Sequence, residues 1–199
     1  ADARIIPGLA ESWRALDATT WEFRLRRGVR FHDGTEFTAE DVVFSIERTL
    51  KASNGQFGIF TRRIVAREIV DAHTLRLKTA TPYAMVPYDL DSVFIVSKRA
   101  AAGAGSADFD SGKAMMGTGP FRFVRWRTDE KIVLDANPDY FEGPPGIGSV
   151  VCRIIPDQSI QFLELRNQSV DSMGLSPDQY KAYPEYFEKY NKFRYPSPA

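Results

Sequence analysis

A chain of 199 residues with 43% hydrophobic and 13% aromatic residues has enough apolar matter for a buried core, which excludes an intrinsically disordered chain. Lysine plus arginine equals aspartate plus glutamate at 26 each, so no net field draws the chain toward nucleic acid or an anionic membrane. The single cysteine, Cys152, excludes an intrachain disulfide and a zinc site of several thiolates, and no run reaches the ~20 apolar residues of a membrane helix.

In chain order, Trp21, Phe23 and Leu25 alternate with Glu22, Arg24 and Arg26, the period of a half-buried strand. Arg24, Arg26, Arg27 and Arg30 fall largely on its outward phase and the turn after it, where charge is solvated. Arg27-Gly28 turns the chain, Val29 and Phe31 resume an extended phase, and His32-Asp33-Gly34-Thr35 reads as a turn with Gly34 at positive φ. Thr38 is expected to cap a helix with its hydroxyl. Glu40 and Asp41 sit in the first turn, and Val42, Val43, Ile46 and Leu50 on the inner face. Gly55 follows the expected helix end.

Ile64 to Val70 and Thr74 to Leu77 read as a hairpin joined by Asp71-Ala72-His73. Pro82 and Pro87 bracket a short helical or irregular piece. Val93 to Val96 is expected to be a buried strand, and the Ala/Gly/Ser/Asp-rich stretch 100–114 a surface loop. Phe121 to Trp126 and Ile132 to Leu134 form strands about the turn Arg127-Thr128-Asp129-Glu130. Asn137-Pro138 and Gly143-Pro144-Pro145-Gly146 are breakers. The near-continuous apolar run Val150 to Ile155 predicts a strand buried on both faces, with Cys152 a small core residue. Asp157 caps a helix to about Arg166 with Ile160, Leu163 and Phe162 inward. Val170 to Met173 reads as a short strand, and Ser176-Pro177-Asp178 starts another helix. Tyr180, Tyr183, Tyr186, Phe187 and Tyr190 form an aromatic stripe. The resulting fold class is mixed α/β, without an internal repeat.

Catalytic constellations are missing from the sequence. Gly117-Thr118-Gly119-Pro120 lacks the Lys-Ser/Thr of a phosphate loop, and Pro120 removes a backbone donor, so a tight turn entering a strand is the better reading. A place for that turn in a cleft lining stays open. His32 and Asp33 are adjacent and His73 lies in a hairpin turn, a spacing that makes neither a dyad nor a metal site. There is no Gly-x-Ser-x-Gly elbow and no His-Glu-x-x-His, and Asp129-Glu130 falls in a turn. No catalytic residue, metal or cofactor is expected.

The stretches Pro7-Gly8-Leu9-Ala10-Glu11-Ser12-Trp13 and Thr20 to Ser45, with Phe31-His32-Asp33-Gly34-Thr35 at its centre, resemble the defining segment of the bacterial peptide/nickel-type solute-binding proteins, family 5. Gly117-Thr118-Gly119-Pro120-Phe121 resembles that family's GTGP-aromatic turn, Asn137-Pro138-Asp139-Tyr140-Phe141 its NPDYW-type segment, and Ile154-Ile155-Pro156-Asp157 its helix entry. Two positions depart from the family pattern. Gln168-Ser169-Val170-Asp171 keeps the family's Val-Asp but lacks its Gly, which implies either an altered backbone there or a neighbouring subfamily. Arg30 replaces a smaller residue or Lys.

The resemblance implies part of lobe one of a two-lobed, type II periplasmic-binding-protein-like fold over residues 1–199, with the first strands and the second lobe absent. It implies a non-enzymatic, substrate-binding component of an ABC importer. Such a protein captures an oligopeptide or related small solute between its lobes and delivers it to the membrane permease. It would be periplasmic or otherwise extracytoplasmic, its signal peptide removed, either free or anchored as a lipoprotein, and would have no nucleic-acid partner. The alternative is a solute-sensing domain of a cytoplasmic transcriptional regulator. In this family the strand near Tyr88 to Phe94 approaches the ligand, so Tyr88, Asp89, Asp91 and Phe94, with Thr118, are the candidate ligand contacts. The competing reading makes both acids plain surface and both aromatics core.

Overall fold

The computed structural model describes residues 5–51, 57–174 and 176–182. Gly55 and all of the aromatic stripe but Tyr180 lie outside them. The chain divides into two compact units, Ala1–Cys152 and Arg153–Ala199.

The first unit is built on a four-stranded antiparallel sheet. Strands β1 (Ala10–Ala15), β2 (Thr20–Leu25), β3 (Ile64–Asp71) and β4 (Thr74–Thr79) run in the order β1-β2-β4-β3. The alternation read in β2 holds for its apolar phase, since Phe23 and Leu25 are buried beside Leu75 and Leu77 of β4. The apolar face of helix α1 (Ala39–Lys51) closes over this surface with Val42 and Ile46, and Val29, Phe31 and Phe37 fill the space beneath the intervening turn. Val43 is partly buried and Leu50 is exposed, so the helix presents a narrower apolar stripe than its spacing suggests. The α1 N-terminus is also tied differently from expectation. Thr38 donates both its N–H and its hydroxyl to the Asp41 carboxylate, at 2.9 and 3.2 Å.

The outward phase of the sheet carries a ladder of alternating charge across all four strands. Arg14, Glu22, Arg76 and Glu68 stand directly opposite one another in register. Arg14 donates to Glu22 at 2.6 Å, and Arg76 donates to Glu22 at 3.0 Å and to Glu68 at 3.5 Å. Flanked by two guanidinium groups, Glu22 is only 5% exposed, although its position in the alternation reads as outward and solvated. Charge-assisted hydrogen bonds satisfy its oxygens without water.

Short helices lie between and after the strands of this sheet. Helix α2 (Gly58–Thr61) precedes β3, and α3 (Val86–Leu90) contains Pro87 in its first turn. Val93 to Val96 is not a strand, and 100–114 is not a simple loop. It holds α4 (Lys98–Ala101), capped by Ser97, and α5 (Ser106–Asp110).

A second sheet of three strands, β5 (Phe121–Arg127), β6 (Lys131–Ala136) and β7 (Ser149–Arg153), has the order β5-β6-β7. The β5–β6 turn uses Asp129 at φ 58°. The prediction of a doubly buried β7 is corrected: Val151 is 52% exposed and Cys152 is exposed.

In the second unit, Asp157 caps α6 (Gln158–Arg166) as expected, accepting from the backbone N–H groups of Ser159 and Ile160. Its buried residues are Phe162 and Leu165, while Ile160 and Leu163 are about half exposed, at 50% and 51%. Val170 to Met173 forms no strand. Helix α7 (Pro177–Ala182) opens with a reciprocal cap between Ser176 and Gln179.

The departure at Gln168 has a clear local form. Gln168 N–H donates to Leu165 O at 3.1 Å and Ser169 N–H to Glu164 O at 2.9 Å, the paired bonds of a Schellman ending. Gln168 takes φ 59°, the left-handed conformation that favours glycine. A glutamine here bears the strain of a conformation that glycine adopts freely. Replacing Gln168 by Gly is therefore expected to stabilise the chain by about 1 kcal/mol in urea unfolding, the cost of a left-handed non-glycine residue less glycine's entropy.

Glu22 gives a pH-dependent counterpart. Hydrogen bonds from Arg14 and then Arg76 hold its carboxyl below the ordinary 4.5. A depressed carboxyl contributes stability that is present above the unfolded value and lost as pH falls through the folded one. Glu22→Gln should lower the melting temperature at pH 7 and shrink the further loss seen below pH 4.5, as measured by thermal denaturation at both ends of that range.

Candidate functional site

The segment that follows β4 is bolted to the sheet at its start. Thr79 donates its hydroxyl to Thr81 O at 2.7 Å, and the Trp21 indole donates to Tyr83 O at 3.1 Å. The Arg63 guanidinium lies over the Tyr83 ring at 4.8 Å. The Tyr83 hydroxyl donates to Asp89 at 2.9 Å, and this bond raises the phenol above its ordinary pKa. From this base α3 turns Val86 and Pro87 inward and leaves Met85 and Tyr88 exposed.

The far end of the segment is held by α1. Ser45, 2% exposed, accepts the Val96 N–H at 3.0 Å and donates back to Val96 O at 3.4 Å. Asp41 accepts the Lys98 N–H at 2.8 Å through its second oxygen. One side-chain hydroxyl thus replaces the ladder partner that a strand would need, which is why an apolar run lies extended without joining a sheet. Between the anchors, Val93 points into the core and Phe94 points out, 75% exposed, with its ring set edge-on against Phe57 at 6.0 Å and 81°.

The candidate residues are thus placed as follows. Tyr88 and Phe94 are surface aromatics, contrary to the competing core reading. Asp89 is engaged by Tyr83, and Asp91 is the one charged residue lining an apolar cavity of about 280 Å³ between the sheet and α3, whose walls include Trp13, Leu77 and Leu90. Thr118 is buried in the 117–120 turn, and no hydrogen bond or ring contact joins it to Tyr88–Phe94 among the described residues. The nearest link is backbone, from Ser97 N–H to Met116 O at 3.0 Å. Phe57, Ile59 and Met85 are also exposed and had not been singled out, and Phe57 meets this surface at Phe94. Phe57 reaches Phe94 across 37 positions, which no local pattern reveals.

The 117–120 turn brings the other motifs together. His32 N–H donates to Gly117 O at 2.9 Å, and His32 Nε2 lies 2.9 Å from Gly119 O. The same Gly119 carbonyl accepts from Asn137 Nδ2 at 3.0 Å, and Asn137 N–H donates to Pro120 O at 2.8 Å. Arg122 grips Asn137 Oδ1 with two donors, at 3.0 and 2.6 Å, and reaches Asp139 at 3.0 Å. Phe141 then packs against the first sheet's core beneath the Arg26 guanidinium.

The model of the bacterial extracellular solute-binding proteins, family 5 (middle) matches residues 4–199, and the chain belongs to that family. It is 30% identical over 196 residues to the oligopeptide-binding protein AppA of Bacillus subtilis, covering 94% of this chain and 35% of that one. With di/tripeptide-binding protein 2 of Pseudomonas aeruginosa it shares 35% over 199 residues, covering 88% and 37%. Among solved structures, the Bacillus subtilis oligopeptide-binding protein in complex with a nonapeptide superposes with a TM-score of 0.77 at 30% identity, over 90% of this chain and 37% of that one. NikZ from Campylobacter jejuni in complex with Ni(L-His) gives 0.79 at 26% identity, over 92% and 36%.

The chain spans little more than a third of the length of these relatives. Its mixed α/β fold is part of a lobe of their two-lobed, type II architecture. The relatives are named as binding proteins, and no helix among the described residues is long and apolar enough to cross a membrane.

Ser45 gives a direct test of how the exposed segment is held. Ser45→Ala leaves the buried Val96 N–H unpaired, which should cost about 1–3 kcal/mol. Amide exchange at Val96 should accelerate well beyond that at Ile46, which keeps its helical bond.

Proposed function

We propose that this region belongs to the solute receptor of an ABC importer. The receptor works outside the cytoplasm, traps a peptide or related small solute between two lobes, and presents it to the membrane permease. The observation that carries this reading is the family match over residues 4–199 together with peptide-binding relatives at 30% and 35% identity. On this reading residues 1–199 supply part of lobe one. The first strands and the second lobe come from elsewhere in the polypeptide, and the protein does no covalent chemistry. Lobe closure needs a stiff scaffold and a wall, not a nucleophile.

The wall is assigned to Tyr88, Asp89, Asp91 and Phe94, with Thr118 of the 117–120 turn as a further contact. Exposed aromatics held by packed neighbours supply contact area at little entropic cost, because their conformations are set before the solute arrives. Phe94 fits this best, being 75% exposed yet braced by Phe57. Asp91 is the free carboxylate nearest to it in sequence, suited to a cationic group on the solute.

The test is titration of the two-lobed protein against a peptide library, followed by Phe94→Ala with the best ligand. Affinity should fall roughly 10-fold, as for an aromatic contact residue, while the melting temperature stays within the small range of surface substitutions. Unchanged affinity would remove Phe94 from the wall. Failure of every peptide would move the solute class away from peptides.

A further inference from the structure

The geometry points to His32 as the positioning residue of the 117–120 turn: its neutral ring, protonated at Nε2, holds the Gly119 carbonyl, and protonation at Nδ1 loosens that turn and Thr118 with it. A carbonyl oxygen only accepts, so the 2.9 Å contact between Nε2 and Gly119 O places the proton on Nε2. Nδ1 is then a bare acceptor. It is buried and has no hydrogen-bond partner among the described residues. In the imidazolium both nitrogens must donate, and the second proton would be buried without an acceptor.

The surroundings add to this. Arg122, from β5, is the cation acting on the ring, and its Nε and Nη2 donate to Asn137 and Asp139. Asp33, next in the chain, is the one carboxylate that favours the charged ring. Its carboxyl is bonded to the Thr35 N–H and hydroxyl at 3.0 and 2.6 Å, and it is influenced by Arg99. Asn137 does not titrate. Burial, the largest cause, pushes His32 below its ordinary 6.5, and Arg122 acts in the same direction, against the Gly119 carbonyl and Asp33. A histidine held below its unfolded value contributes stability that is fully present above pH 6.5 and lost as pH falls below it, until the depressed folded value is passed.

Gly117 packs close to the His32 ring. A Cβ there would meet His32 Cε1 at 3.7 Å, ordinary contact, so this glycine lies directly beside the ring. Pro120 supplies no N–H, and the turn is tied by the His32 bonds to the segment after β2 and by the Asn137 bonds to the segment after β6. The joint stands without any solute. Its bearing on solute capture rests on the reading of Thr118 as a wall residue, and a failure of that reading leaves the joint untouched.

The experiment is an NMR titration of the 199-residue chain from pH 8 to 5, following the His32 ring and the amides of Gly117, Thr118 and Gly119. Urea midpoints are taken at both ends for the wild type, His32→Gln and His32→Phe. His32 should titrate below 6.5, and the three amides should shift with the same midpoint. His32→Gln keeps a neutral donor, so it should retain more of the pH 8 stability than His32→Phe and lose the pH response of the turn. The proposal is overturned if His32 titrates at 6.5 or above, if the turn amides ignore its titration, or if His32→Gln keeps their response. Should His32→Phe fail to fold, the wild-type titration and His32→Gln still decide.

Discussion

The carbonyl oxygen of Gly119 accepts from His32 and from Asn137, and three separated stretches of chain meet on that one atom. The turn it belongs to ends in Pro120, which offers no N–H, so its carbonyls must do the anchoring. In a site with little water such bonds are stronger and their loss costs more. The segments around Phe31-His32-Asp33-Gly34-Thr35, Gly117 to Phe121 and Asn137 to Phe141 therefore form a single network, with Arg122 locking Asn137 in place. Residues that serve as family signatures act here on one another, and their first duty is to hold the second sheet's entry against the first sheet's core.

A second set of anchors works in the same way on the other side of α1. Asp41 closes the helix start on Thr38 with one oxygen and takes the Lys98 N–H with the other. Ser45 fastens Val96. Buried polar side chains thereby fix an extended segment that has no sheet to join. Between those fastenings and Tyr83 the chain turns Tyr88 and Phe94 to solvent. On the proposed reading these exposed rings form the wall, where recognition gains from preorganised surface.

Much of this was legible in the sequence because the signals were local. The alternation in β2, the Asp71-Ala72-His73 hairpin turn and the Asp157 and Ser176 caps each depend on a few adjacent residues. What escaped depends on distant partners. Glu22 reads as outward and is buried because Arg14 and Arg76 stand on neighbouring strands. Val93 to Val96 reads as a strand and is not one because a helix serine substitutes for a ladder. Helix α6 buries Phe162 and Leu165 instead of Ile160 and Leu163, a rotation that spacing alone leaves open. Gln168 shows a left-handed residue that is not glycine, held by two backbone bonds at the end of α6. Of the candidate site, the exposed aromatics sit on a stretch that the family resemblance singled out. Phe57 and Tyr83 emerge only when the fold brings them there.

The central claim is that this region is scaffold and one wall of a receptor whose solute is held by closure of two lobes. Native mass spectrometry of the gently purified two-lobed protein, with the 199-residue chain run in parallel, tests it most directly. The account predicts a small bound mass on the two-lobed protein and none on the chain alone, because a single wall lacks the burial that closure provides. The same mass retained by the isolated chain would contradict it, and would place the whole binding site on this region.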